Sequence, residues 1–241
     1  MTVPNGSVHL HRLAFAERLQ TMRRFTLAIL LFAVLAPSAM AHGRPDSPFD
    51  RRPTGELLGQ WWKTVLEIPV SENPLTGRAD PCITLGRRVL APAFTAGGEI
   101  ACTVDKDTSI LAITFTSECS DAEDPPFFGA TPRKRAACAR ATADGVRINE
   151  VGIDGRIYDV RRYRTTSPDL RVRLPEEDLF GVDARSLRFT AAGWAPLIEP
   201  LRPGHHVISV RSAGSDPGRP SFDDFGTMQL EVRGRRGHGH P

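Results

Sequence analysis

The residues best equipped for chemistry in this chain are four cysteines, two groups of carboxylates, a His-His pair and two aromatic pairs. Cys82, Cys102, Cys119 and Cys138 are separated by 20, 17 and 19 residues. Structural zinc sites take their thiolates from tight Cys-x-x-Cys pairs, which these spacings lack, so the cysteines read as disulfides and no metal is assigned. Glu118, Asp121, Glu123 and Asp124 gather before Pro125-Pro126. Their spacing fits no EF-hand, and acids beside Pro-Pro read as a solvated loop. Asp223 with Asp224, or Glu118 with Glu199, could serve a glycosidase if the fold set them roughly 5–9 Å apart. His205 and His206 are neighbours in a strand-like run, so their rings point to opposite faces. If Ile208 and Val210 face the core, so does His206, leaving His205 to solvent. Gly-x-Ser-x-Gly, His-Glu-x-x-His and Walker motifs are missing from the sequence, so no catalytic residue and no cofactor are assigned.

The aromatic pairs are the candidates for binding. Trp61-Trp62 lies in a stripe with Leu57, Leu58, Val65 and Leu66 at helical spacing. The pair is either a stacking platform or a plug that fixes the helix against a sheet. Phe127-Phe128 ends the acidic Pro-Pro loop. If the protein binds a ligand, Trp61, Trp62, Phe127 and Phe128 are the candidate contacts, because aromatics give large contact area at small entropy cost. The alternative is that all four close the end of the fold as a hydrophobic plug.

These side chains need elements to hold them. The helix around Trp61 ends at Pro69, and Asn73-Pro74-Leu75-Thr76-Gly77 is turn chemistry. Strand-like runs occupy Arg88 to Phe94 and Glu99 to Val104, with Gly97-Gly98 between them. Thr108 to Thr116 is rich in β-branched and aromatic residues and reads as one central strand with a cysteine near each end. Thr131-Pro132 opens a second helix, with Thr as N-cap and Pro in the first turn. Asp144-Gly145 closes it. Asp154-Gly155 joins Val146–Ile153 to Arg156–Tyr163 as a tight hairpin. Leu170 to Leu174 is a strand, and Pro175-Glu176-Glu177-Asp178 reads as the acidic first turn of a short helix closed by Gly181. Leu187, Phe189 and Ala191 alternate on one strand, Trp194 to Ile198 makes another, and His205–Val210 and Gly226–Arg233 complete the set. Short strands with turns every eight to twelve residues predict a mainly β fold. The expected form is a disulfide-braced antiparallel sandwich or jelly roll with one N-terminal helix and one or two short helices. Of the three possible disulfide pairings, Cys82–Cys102 and Cys119–Cys138 are preferred. Gly97-Gly98 can fold the first pair back, and the loop from Asp121 to Gly129 can bring the second helix to the strand end.

The first 41 residues read as a leader. Met22-Arg23-Arg24 is a basic n-region, Phe25 to Ala36 an apolar run, and Ala39-Met40-Ala41 a small-x-small cleavage site. The run is short for a membrane span and Pro37 interrupts it. The expected start is Met22 and the expected mature end His42, followed by a flexible lead-in over 42–54, one β-rich domain over 55–233 and a disordered tail over 234–241. The formal charge of +3 belongs to this leader. Of 31 basic and 28 acidic residues, it holds four Arg and one Glu, leaving 27 of each. A balanced mature chain without a basic patch excludes a nucleic-acid partner. The expected partner is an unknown ligand or envelope component, and the expected state is a monomer.

The ordered motifs Trp61-Trp62, Ile68-Pro69, Asn73-Pro74-Leu75, Thr76-Gly77, Cys82, Cys102-Thr103-Val104 and Glu118-Cys119-Ser120 continue through Pro125-Pro126-Phe127-Phe128-Gly129, Asp154-Gly155, Tyr163-Arg164, Ser167-Pro168 and Pro203-Gly204-His205-His206. In this set the chain resembles a family of uncharacterised exported bacterial proteins. The resemblance spans roughly residues 57 to 232, and it implies export, disulfides and a β-rich fold but no reaction. The chain departs from the pattern at Leu85-Gly86-Arg87 and Asp105-Lys106, where that family carries Gly-Gln and Gly-Lys. The functional expectation is an exported binding or envelope-associated module in the periplasm or outside the cell. The alternative is a hydrolase of envelope or extracellular polymers.

Overall fold

A computed structural model describes residues 47–94 and 96–234. The leader and the tail beyond Gly234 lie outside the described residues. In chain order the elements are α1 (Gly55–Leu66), β1 (Thr84–Leu85), β2 (Val89–Leu90), β3 (Glu99–Asp105), β4 (Ser109–Leu111), β5 (Phe115–Ser120), α2 (Pro132–Thr142), β6 (Val146–Ile153) and β7 (Arg156–Asp159). There follow β8 (Arg164–Thr166), β9 (Leu170–Arg173), β10 (Ser186–Trp194), β11 (Leu197–Ile198), β12 (Gly204–Asp216) and β13 (Arg219–Arg233). Short 3₁₀ turns stand at Val70–Glu72, Pro74–Thr76 and Arg161–Tyr163.

The fold is mainly β and sandwich-like. Among the described residues three sheets carry it, ordered β1-β2-β4-β11, β5-β10-β8 with β9 also on β10, and β3-β13-β12-β6-β7. The small first sheet is buried on both faces. Along it Ile110 and Ala112 point into a core with Ile208, Val210, Met228 and Leu230 of the β12–β13 hairpin. The alternate residues Leu111 and Ile113 point into a second core with α1, Val172, Leu187 and Phe189. Strands covered on both sides read as continuous apolar runs, and Ile110-Leu111-Ala112-Ile113 is such a run. The outer face of the five-stranded sheet is polar, with Arg211 bridging Glu150 and Asp223.

The expected single strand from Thr108 to Thr116 is therefore two. β4 and β5 belong to different sheets, and the chain crosses between them at residues 112–114. Thr114 anchors the crossing: its main-chain N–H donates to Trp194 O, and its hydroxyl donates to Asn149 Oδ1 at 2.9 Å. Other expectations also change. The strand within Arg88–Phe94 shrinks to Val89–Leu90, and Trp194 ends β10 instead of opening a new strand. Residues 175–178 form no helix, because the Asp178 carboxylate accepts from the Phe180 and Val182 N–H groups and closes a local turn. Phe49 is only 3% exposed and packs on Tyr158 and Tyr163, so the domain begins ahead of Thr54.

The helix signals hold. Thr131 Oγ1 accepts from Lys134 N at the start of α2. Asn73 explains its own turn motif: its amide donates to Val65 O and Ile68 O, capping the end of α1, while its Oδ1 accepts from Leu75 N. Asp154 and Gly155 both take positive φ, 50° and 81°, as the tight β6–β7 turn requires.

Both expected disulfides are formed, Cys82–Cys102 and Cys119–Cys138. The second ties α2 to β5 across the acidic loop. Arg135 reinforces it. This side chain is 2% exposed, donates through Nε to Asp169 at 2.7 Å and through Nη1 to Gly129 O at 2.9 Å, and stands 3.7 Å from Asp121. A Cβ on Gly129 would lie 2.6 Å from Arg135 N, so only glycine lets the loop lie this close to α2. Chain-entropy reasoning gives a loop of this size roughly 3 kcal/mol of stabilisation per bond. Replacing Cys119 and Cys138 together by Ala should lower the unfolding free energy by about that amount in urea titrations. An unchanged midpoint would contradict the bracing role.

Candidate ligand-binding cleft

Where the two cores meet, a cleft of about 230 Å³ opens between α1, the β4–β5 crossing and the β12–β13 hairpin. Trp61, Trp62, Phe94, Phe115 and Phe225 wall it, and Thr114, Thr116, Ser212 and the Arg219–Asp224 pair supply its polar groups. The volume lies below the roughly 300–1,000 Å³ of sites that hold a whole drug-sized ligand. It suits one ring or side chain of something larger.

Each wall has a local reason for its position. Trp61 and Trp62 are 4% and 8% exposed and meet edge to face with centroids 5.4 Å apart. Their indole N–H groups donate to Ala91 O at 3.1 Å and Thr116 Oγ1 at 2.9 Å. The pair is thus a plug in the core that also shows its edges to the cleft. On the other side, β12 and β13 pair in antiparallel register, with Ser212 opposite Asp224 and Val210 opposite Gly226. Gly226 keeps the floor low: a Cβ there would sit 3.1 Å from the Phe94 ring. Phe225 stands at the rim, 49% exposed. Arg219 pairs with both Asp216 and Asp224 and lies over Phe222, with 4.1 Å between its guanidinium carbon and the ring centroid. Behind the floor, Asn149 is 1% exposed and its Nδ2 has no partner among the described residues.

The structure does not gather the four expected aromatics. Phe127 and Phe128 lie on the acidic loop, where Phe127 O accepts from Ser120 N and Phe128 is 45% exposed, and neither lines the cleft. The sequence reading missed Phe94, Phe225, Arg219 and Asn149, and it named Asp224 only as half of a carboxylate pair with Asp223. The usable signal was Phe222 and Phe225 standing in an otherwise polar run.

The other chemical candidates are placed as structural groups. His206 lies on the same face as Ile208 and Val210, opposite Leu230, and its side chain is 15% exposed. Its Nδ1 and Nε2 each lie 2.8 Å from an acceptor, Asp154 Oδ2 and Arg202 O. Two acceptors call for two ring protons. Burial works to lower its pKa, and the bonds to Asp154 and Arg202 O outweigh it and raise the pKa. His205 is exposed and pairs with Glu231. Asp223 and Asp224 face opposite sides of β13 and pair with Arg211 and Arg219, so they form no carboxylate couple. Glu118 and Glu123 do form one. Burial pushes the Glu118 pKa well above the usual carboxylate range, and the Glu123 charge and hydrogen bond push it further. Burial raises Glu123 as well, while hydrogen bonds from Glu118 and Ser120 hold it back. Among the described residues no group of three or more His, Cys, Asp or Glu is placed to hold a metal ion.

Comparison with family models, curated proteins and solved structures returns no match for this chain.

The Glu118 proton generates a pH prediction. Because the folded state binds that proton more tightly than the unfolded chain, the contribution of Glu118 is greatest below the ordinary Glu pKa of about 4.3. It is lost as pH rises through the raised folded value. Glu118→Gln, which keeps a donor toward Glu123, should therefore melt higher than the parent at neutral pH, with the gap closing toward pH 4. A gap that stays constant with pH would show that Glu118 ionises normally.

Proposed function

We propose that this chain is an exported binding protein that holds its ligand in the cleft between α1, β5 and the β12–β13 hairpin. The carrying observation is the cleft itself: aromatic walls and an ion-paired polar rim, fixed by hydrogen bonds that exist without any ligand. Pre-organisation of this kind reduces the ordering cost of binding. Export is supported by the tripartite leader and by two disulfides, which persist in oxidising compartments. No helix among the described residues is long and apolar enough to cross a membrane. In this reading the site is presented in the periplasm or outside the cell.

The hydrolase reading gains less support. Glycosidases place their two carboxyls across the bound sugar, roughly 5 Å or more apart, whereas Glu118 and Glu123 lie outside the cleft.

Two measurements test the proposal. N-terminal sequencing of the exported protein should give His42. Titration of the mature chain with panels of short peptides and of oligosaccharides should shift tryptophan emission for at least one panel. Phe225→Ala should weaken that shift tenfold or more while changing stability by no more than about 0.5 kcal/mol, as for an exposed position. Binding that is indifferent to Phe225 would place the ligand elsewhere.

A further inference from the structure

A second depression shares no lining residue with the cleft. It is an open groove of about 490 Å³ between α1 and β9. Its charged lining is Lys63 and Glu67 from α1, Arg171 and Arg173 from β9, and Arg185 just ahead of β10. Four cations thus meet one carboxylate, an excess of three positive charges. Lys63 and Glu67 stand 3.9 Å apart. Arg171 donates to Ser186 Oγ at 3.2 Å. Arg171, Arg173 and Arg185 have no carboxylate partner among the described residues.

Sheet register builds this crowding. Arg171 stands directly opposite Arg188 on β10, and Arg173 stands opposite Ser186. Like charges directly opposite in a sheet are destabilising. Asp169 pairs with Arg188 and with Arg135, each at 2.7 Å, so it is already engaged twice. β9 pairs with β10 alone and is therefore an edge. Leu174 N donates to Arg185 O, which makes that opposed pair a hydrogen-bonded one. Alternate residues turn the other way, so the N–H groups of Arg171 and Arg173 face the open edge. Charge on an edge strand guards it against pairing with another chain. Guarding accounts for the arginines of β9 but not for Lys63 and Arg185, which converge on them from other elements.

We infer that this groove is a binding site separate from the cleft, and that its ligand carries two neighbouring phosphoryl groups. Guanidinium groups meet phosphoryl oxygens in paired hydrogen bonds, and Lys63 adds a compact point charge. The outward N–H groups of Arg171 and Arg173 add donors of the kind that anions accept. An excess of three charges matches a pair of phosphoryl groups better than a single carboxylate. A depression lined by one sign of charge also focuses its field on an approaching anion. The cations come from positions 63, 171, 173 and 185, so no basic run along the chain marks the groove.

Titration calorimetry of the mature chain with inorganic pyrophosphate at low salt tests the site. The expected result is saturable binding that added salt weakens, as exposed charge pairs require. Arg171→Gln with Arg173→Gln should weaken it tenfold or more, and thermal melts without pyrophosphate should show that the double variant folds as the parent does. Arg147→Gln, an exposed arginine outside the groove, should change binding less than twofold, and so should Phe225→Ala at the cleft rim. Vesicles of cardiolipin in phosphatidylcholine separate the two sources of this chemistry. If they retain the parent but not the double variant, and release it to pyrophosphate, the phosphoryl groups belong to a lipid headgroup. If they retain neither while pyrophosphate binds, the ligand is soluble. Both outcomes support the site. Pyrophosphate binding that the double variant leaves unchanged, or that Arg147→Gln weakens equally, overturns it. Failure to bind pyrophosphate at low salt overturns it as well and leaves the arginines as guards of the β9 edge.

Discussion

Four consecutive residues, Ile110 to Ile113, are buried with no more than 7% of their surface exposed, although neighbouring side chains on a strand must point in opposite directions. That is possible only if apolar layers cover the strand on both sides. Ile110 and Ala112 require the β12–β13 sheet, and Leu111 and Ile113 require α1 and the β10 sheet. The rest of the architecture follows from this double demand. Once the chain has satisfied both layers it has to leave the middle sheet, and it does so at Thr114, whose hydroxyl bond to Asn149 keeps the crossing from burying an unpaired group. The cleft is the space left where the two cores cannot close on each other around the crossing. Ile110→Ala would remove a side chain that one of these layers needs, at a cost of about 2–5 kcal/mol.

The disulfides and Arg135 act at a distance from this strand but on the same problem. Cys82–Cys102 fastens the segment before β1 to β3, the strand that flanks β13. Cys119–Cys138 and the Arg135–Asp169 pair fasten α2 and the acidic loop to the far end of β5. A buried guanidinium is tolerable because Asp169, Gly129 O and Asp121 surround it. These braces hold the loop against the outer β5 edge at Ser120.

Much of the scaffold was legible in the sequence because its signals are local. The amphipathic stripe of α1, the Thr131-Pro132 cap, the Asp154-Gly155 turn and the cysteine pairing each depend on a few neighbouring residues. The length of the final hairpin was not legible. Residues 211–225 are polar on the outer face, held by Arg211, Glu150 and Asp223, so they carry little of the apolar alternation that marks a half-buried strand. The break after β4 was hidden because a doubly buried run and the strand that follows it have the same β-rich composition. The binding face was half legible. Trp61 and Trp62 do border the cleft, but their partners come from Phe94 and Phe225, brought in by sheet register that spacing alone does not encode.

The central claim is that the cleft is already formed and open before any ligand arrives. Crystals of the mature chain, grown ligand-free and then soaked in phenol as a single-ring probe, test it directly. The account predicts one phenol ring bounded by Trp62, Phe94 and Phe225, with the Trp62–Thr116 and Thr114–Asn149 hydrogen bonds intact and main-chain shifts below about 1 Å. A ligand-free crystal in which the Phe225 ring has folded into the cleft, and in which phenol finds no place between these side chains, would contradict it.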